Sequence, residues 1–413
     1  MTASPTTVAP TVAPGRLRSL DGLRGVAALV VVLHHTLMVL PQLAMVHLGP
    51  VLPEPGTAAW WIVSTPLRIV WAGQEAVLVF FVLSGYVLTV YAQRRLDGSR
   101  PGAVRAYYVQ RLARLYLPVW GAVALALAVA LAIPRDGGAA SLWLAMHADP
   151  DALSVVMDLT LLGGIGPAWL DSPLWSLAWE IWFSLLLPVM WLLVRRLPVR
   201  GHGGVWIILL VAVSVAAPHL GLPVPLARPL EFLPVFGIGM VLAHDSDRPH
   251  RAAAAVTARG PWAWPAVLLL SWLALVAPSP GWGAQGLVPG LAADALALAG
   301  VVGLLVAAMT WGPLLRALER RPAQWLGRRS FSLYLVHEPV VVALALLTGA
   351  TGAAWVLWST VAVVVSLALA AGFFLAVEQP ALGLSRSLGE RAALRPAYPP
   401  SPPRPRPRGS RRR

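Results

Sequence analysis

The sequence of 413 residues contains no cysteine. That excludes a disulfide-stapled domain, a cysteine-ligated metal or cluster, and a thiol nucleophile. Lysine is absent as well, so all 32 basic residues are arginine. Charge of either sign is scarce: 12% of residues are charged, about half of the ~25% usual in soluble domains. Acidic residues number only 18, which leaves a formal net charge of +14. So little polar sequence cannot build the basic face of a soluble nucleic-acid binder. It also confines intrinsic disorder to the ends. Internal repeats are lacking too, which counts against an inverted-repeat transporter.

What fills the chain instead is apolar: 57% of residues are hydrophobic. Runs of about 20 apolar residues span a bilayer as helices. The fold class expected is therefore all-α, a polytopic transmembrane bundle of about ten spans. They run from Leu23 to Leu40, Gly73 to Ala92, Tyr107 to Ile133, Leu174 to Val194 and Val205 to Ala217. The rest run from Pro229 to Ala243, Trp262 to Ala277, Leu287 to Trp311, Phe331 to Leu347 and Ala354 to Val377. The fifth and sixth are short. The stretch Trp60–Val70 is a further element that could re-enter the membrane.

Arginine placement orients the bundle. With both termini cytoplasmic, 29 of the 32 arginines fall inside, and only Arg68, Arg135 and Arg228 lie outside. The positive-inside rule selects this arrangement in the cytoplasmic membrane. The outer loop from Pro134 to Pro173 holds Asp136, Asp149, Asp151, Asp158 and Asp171. Residues 1–17 form an expected disordered cytoplasmic segment, 18–380 the membrane domain, and 381–413 a Pro- and Arg-rich cytoplasmic tail suited to anionic lipid.

An ionisable group inside a span costs about 2.5–3.5 kcal/mol on insertion scales, so each asks for a reason. Arg24 and His35 are eleven residues apart, which puts them about 20° apart on one helical face with a rise of about 16 Å. Arg24 then sits at the cytoplasmic edge and His35 near mid-bilayer. A long anionic molecule fits that stripe, its phosphates on arginine and its reactive end at histidine. Read alone, Arg24 is equally a snorkelling residue, and of the adjacent pair His34 and His35 at least one has a structural duty. Glu75 opens the second span, where Gly85 allows close backbone approach and Ser84 can bond across helices. Arg111 and Arg114 share a face at the start of the third span and suit phosphate or plain anchoring. Glu180, a turn and a half into the fourth span, calls for a His or Arg partner. Arg228 and Glu231 read as an i,i+3 salt bridge. Asp294 is not interpretable from spacing. His337 and Glu338 precede Pro339, and Glu378-Gln379-Pro380 reads as a helix stop.

Taken together these residues resemble the acyltransferase-3 family, integral-membrane O-acyltransferases that modify sugars on surface polysaccharides, glycolipids and some antibiotics. Asp21-Gly22-Leu23-Arg24 followed by His35 resembles its Arg-x10-His signature. Phe80-Phe81-Val82-Leu83-Ser84-Gly85-Tyr86, Arg111-Leu112-Ala113-Arg114 with Pro118, and Leu174-Trp175-Ser176-Leu177 with Glu180 resemble its next motifs. Leu326-Gly327, Ser330 and Ser332-Leu333-Tyr334-Leu335-Val336-His337 resemble the late element, and Glu378 with Pro380 the closing one. The likeness covers residues 18–380. It implies a cytoplasmic acyl-CoA donor, commonly acetyl-CoA, as co-substrate, with no tightly bound cofactor and no metal. It implies a carbohydrate or glycosylated small-molecule acceptor, with the lipid bilayer as surroundings and no nucleic acid; association of copies is left open. By the same resemblance Arg24, Arg111 and Arg114 would hold the phosphates of CoA. His35 would act as general base on the acceptor hydroxyl or carry the acyl group briefly, with Ser84 as a donor to the developing oxyanion and Glu180 orienting His35 or the sugar. Glu75, Trp175, Ser176 and His337 would meet the acceptor. His34 stands where the family is usually apolar or aromatic. The rival reading is a multi-pass exporter with His35 and Glu180 as a proton relay.

Overall fold

The computed structural model describes residues 14–48, 51–96, 102–135, 141–161, 169–278, 290–349 and 354–394. Residues 1–13 at the expected disordered start and 395–413 of the expected tail lie outside them. Among the described residues the secondary structure is helical, with no strand. Every apolar run is a helix: α1 Pro14–Met38, α4 Gly73–Arg95, α5 Ala103–Ala132, α8 Leu174–Arg196, α9 Gly203–Ala216, α10 Val224–His244, α12 Ala263–Val276, α13 Gly290–Thr310, α15 Arg321–Thr348 and α16 Trp355–Phe373. Shorter helices join them: α2 Pro41–Leu48, α3 Ala58–Ser64, α6 Leu142–Ala145, α7 Ala152–Thr160, α11 Arg248–Thr257 and α14 Gly312–Leu318, with α17 Gln379–Leu394 at the end. Among the described residues eight helices are long and apolar enough to cross a membrane, while Gly203–His219 and Ala263–Val276 are shorter.

Four expectations change. The sixth run is not short: α10 begins at Val224 and passes through Pro229 and Pro234. Helices surrounded by other helices tolerate such prolines, because neighbours satisfy the freed backbone groups; the Ser214 hydroxyl donates to Glu231 O in this stretch at 2.6 Å. The Trp60–Val70 stretch is α3 followed by a 3-10 turn, Pro66–Trp71, rather than one re-entrant helix. The Thr65 hydroxyl caps that turn, and Pro66 starts it. Glu378-Gln379-Pro380 does not stop the last helix. A π turn, Phe374–Glu378, carries the chain into α17. The wider turn puts Pro380, which lacks an N–H, at the start of α17, where none is needed. Finally, α1 starts well before Leu23 and ends before Pro41, so His35 stands in its last turn rather than midway along.

Two glycine contacts set the geometry of the site. α1 lies along α15, and a Cβ on Gly25 would run into Leu326 and the Gly327 amide, while one on Gly327 would run into Asp21 O. Ten residues further along each helix, His35 meets His337. The two helices therefore run parallel in one register. α4 and α10 are locked the same way, through Gly85 against Phe236 and Gly239 against Val82. Phe81 and Phe183 stack on Phe236 at 4.5 and 4.3 Å between centroids, joining α4, α8 and α10. A second apolar cluster gathers the end of α1, α2, α6 and the second half of α15, with Met38, Leu43, Trp71, Trp143 and Val341 fully or nearly buried.

Candidate active site

The last turn of α1 sends its two imidazoles in different directions, because consecutive helical residues diverge by about 100°. His34 is buried, with Nδ1 2.9 Å from Trp71 O and its ring stacked on Trp71 at 5.6 Å. His35 points to α15: its Nδ1 lies 2.8 Å from His337 Nε2, and its ring stacks on Trp143 at 5.7 Å. The proton positions follow from the acceptors. His337 Nδ1 faces Leu333 O at 3.1 Å and Tyr334 O at 2.8 Å, and carbonyls only accept. Neutral His337 therefore carries its proton on Nδ1 and accepts at Nε2 from the Nδ1–H of His35. That leaves Nε2 as the basic atom of the His35 ring.

Opposite this Nε2, at 3.4 Å, stands Glu338 Oε2. The Glu338 carboxylate is fully buried. Its Oε1 accepts from the Ser172 amide at 2.5 Å and lies 2.9 Å from His147 Nε2; its Oε2 accepts from the Ser172 hydroxyl at 2.7 Å. Ser172 directly precedes Pro173 and α8, and His147 directly follows the short α6 turn. Neither was singled out from sequence, since loop residues show no periodicity. The signal that could have found Glu338 is a carboxylate inside an apolar run, which needs donors.

Two hydrogen bonds tie α15 to the start of α8. Tyr334, a turn before His337 on α15, donates to Pro173 O at 3.0 Å and lies 2.8 Å from Ser176 Oγ. Another turn along α8 from Ser176 comes Glu180. Its Oε1 accepts from Ser84 Oγ at 3.0 Å and from Arg111 Nη2 at 2.5 Å. Arg111 also donates to Ser184 Oγ at 3.0 Å. Glu180 thus has the arginine partner that its position calls for. The carboxylate beside His35 is Glu338, and the hydroxyl proton of Ser84 goes to Glu180. His35 and Glu180, paired in the exporter reading, lie in separate hydrogen-bonded groups.

Two further candidates, Arg24 and Arg114, lie on α1 and α5. Arg24 lies 4.0 Å from Asp21, with its side chain about one-third exposed. Arg114 is exposed on α5, three residues after Arg111. Glu378, carried inward by the π turn, is bonded to the Ser332 amide and hydroxyl. π turns inside helices often mark functional sites.

The remaining candidates lie across α4. Glu75 is buried and paired with Arg68 Nη1 at 2.8 Å. Glu75 and Trp175 line a cavity of about 1060 Å³ together with Trp179, Trp182, Phe232 and Asp294. Arg228 and Glu231, also in its wall, form the expected pair at 2.9 Å. Among the described residues no group of three or more His, Asp and Glu side chains is arranged to hold a metal ion.

Compared with known proteins, residues 17–376 match the profile of the acyltransferase-3 family, described as an acyltransferase domain. The acyltransferase MdmB of Streptomyces mycarofaciens is 29% identical over 356 residues, which cover 79% of each chain. No solved structure matches.

Proposed function

Since the chain belongs to the acyltransferase-3 family and is a multi-pass membrane acyltransferase, we propose that it moves an acyl group, acetyl in the simplest case, from cytoplasmic acyl-CoA to a sugar hydroxyl. The sugar belongs to a surface glycan, a glycolipid or a glycosylated natural product. One observation carries this reading: His337 fixes His35 in the tautomer whose Nε2 is basic, on the same helix as Arg24 and with Arg114 exposed on α5. Those two arginines receive the CoA phosphates, and Arg111 holds Glu180. The pantetheine arm runs past Ser176 and Tyr334 and brings the thioester to His35.

The acceptor oxygen attacks the thioester carbonyl while its proton passes to His35 Nε2. The C–S bond breaks, and the CoA thiolate takes the proton back, so the enzyme ends as it began. Trp175, Trp179 and Trp182 offer flat apolar faces to sugar rings, and Glu75 and Asp294 offer acceptors for hydroxyls. The side of the cavity that these residues share with α4 and α8 is the outer side by the arginine distribution.

Purified protein in lipid nanodiscs, given acetyl-CoA, releases free CoA, with water taking the acetyl group in place of the sugar hydroxyl. With no cysteine in the chain, a thiol reagent reads CoA without background. His35→Ala abolishes this release in a folded protein. Full activity in His35→Ala would falsify the assignment.

A further inference from the structure

We propose that Glu338, held by His147 and Ser172, is the positioning residue that carries the imidazolium form of His35 during acyl transfer. The role rests on His35 acting as base in the reaction above.

A protonated imidazole within an apolar bundle is costly unless a paired anion stands beside it. Glu338 Oε2 faces the one atom of His35 that gains a proton, at 3.4 Å. Once Nε2 is protonated, it donates to that oxygen. His337 cannot serve in this way: it lies at Nδ1, which carries its proton throughout.

Glu338 is also the carboxylate in this region that has hydrogen-bond donors on both oxygens. Three acidic side chains are buried together here, Asp158, Asp171 and Glu338. Both oxygens of Asp171 and Oδ2 of Asp158 have no hydrogen-bond partner. Burial, and then the charge of Glu338, push the Asp158 carboxyl up to about 7 and the Asp171 carboxyl well above the usual range. Three like charges cannot coexist in one buried space, and the charge settles where donors are. Glu338 has the Ser172 amide, the Ser172 hydroxyl and His147. The Arg135 guanidinium adds an opposite charge within reach of its field.

His147 completes the arrangement by proton accounting. Its Nδ1 lies 3.0 Å from Trp143 O, which only accepts, so Nδ1 bears a hydrogen. Its Nε2 lies 2.9 Å from Glu338 Oε1, which demands a second hydrogen between them. His147 and Glu338 therefore share one proton, as an imidazolium–carboxylate pair or its neutral form. In the first form the Glu338 carboxylate is negative opposite His35, with the counter-charge on the far side at His147. Trp143 lies between the two histidines, with ring centroids at 5.7 Å from His35 and 4.4 Å from His147.

The test uses the full chain in nanodiscs with acetyl-CoA as the probe and CoA release as the readout. Glu338→Gln keeps the shape and one oxygen to accept from Ser172, but replaces the other oxygen by a donor and loses the charge. Its kcat falls about 30-fold or more, with KM for acetyl-CoA within about twofold. Glu338→Asp recovers part of the loss. His147→Gln, placed outside the long helices, lowers kcat by about 5–10-fold with KM unchanged. A folded Glu338→Gln with kcat within about threefold of wild type overturns the role, as does a loss carried by KM. If Glu338→Gln does not fold, an unchanged kcat in His147→Gln overturns the role. Wild-type protein that releases no CoA overturns the donor reading and this role with it. An active wild type with an equally active Glu338→Gln removes this role alone.

Discussion

Nδ1 of His35 and Nε2 of His337 lie 2.8 Å apart although 302 residues separate them in the chain. The bond holds one tautomer. Carbonyl oxygens of α15 fix the proton of His337 on Nδ1, and His337 in turn fixes that of His35. Removing His337 frees the His35 ring to turn and to exchange tautomers. His337→Ala is expected to lower kcat about 100-fold, with acetyl-CoA affinity unchanged by calorimetry. His34→Gln alters the packing around Trp71 and lowers the unfolding midpoint, while kcat stays within about threefold. The reverse pattern, with His34 the more sensitive in kcat, would reassign the base.

The arginines separate by their partners. Arg114 is exposed, whereas Arg111 is bonded to Glu180 and Ser184. Arg114→Ala is therefore expected to weaken acetyl-CoA binding about tenfold, more so at low salt, with little change in unfolding. Arg111→Ala leaves Glu180 without its cation and costs about 1–3 kcal/mol of stability. Adding Glu180→Gln recovers part of that cost. Thermal unfolding and calorimetry on the same four proteins check both halves.

Register between α1 and α15 depends on two residues without side chains. A methyl on Gly25 or Gly327 collides with backbone rather than with a flexible side-chain end. Gly25→Ala and Gly327→Ala are expected to cost about 1–3 kcal/mol each through overpacking, and to lower kcat as well, because the His35–His337 bond depends on the same register. Gly383, with nothing near its Cβ position, serves as the control and tolerates alanine. Activity that survives in a destabilised Gly25→Ala protein would separate register from catalysis.

The pH dependence of stability has a definite sign at Asp158, which lies outside the long spanning helices. Burial and the Glu338 charge push its carboxyl up to about 7 in the folded protein, against about 3.9 in the unfolded chain. The folded state then holds more protons between those values, so this group lowers stability as pH rises from about 4 to about 7. Asp158→Asn removes the effect. Its unfolding midpoint relative to wild type is expected to rise between pH 5 and pH 8. A difference that is flat across this range contradicts an uncharged Asp158.

Much of this site is legible in the sequence. Arg24 and His35 at an eleven-residue spacing, Glu180 in want of a cation, the close approach at Gly85 and the Arg228–Glu231 pair all follow from helical geometry and the cost of buried charge. The limits of α10 and the passage through Pro380 were not legible, because proline reads as a stop unless neighbouring helices take over the freed backbone groups. Glu338, Ser172 and His147 were hidden for another reason. Their meeting joins α15 to two loop positions, and no periodicity relates a loop to a helix.

The sequence by itself determined that this chain is a bundle of membrane helices. Long apolar runs leave the backbone no other way to satisfy its hydrogen bonds in lipid. Only the tertiary structure decided which of two adjacent histidines meets a partner, and which carboxylate stands beside it. One residue turns a helical side chain by about 100°, so neighbours in sequence face different surroundings. Which surroundings each one meets depends on how α1 packs along α15, and that register is set where Gly25 meets Gly327.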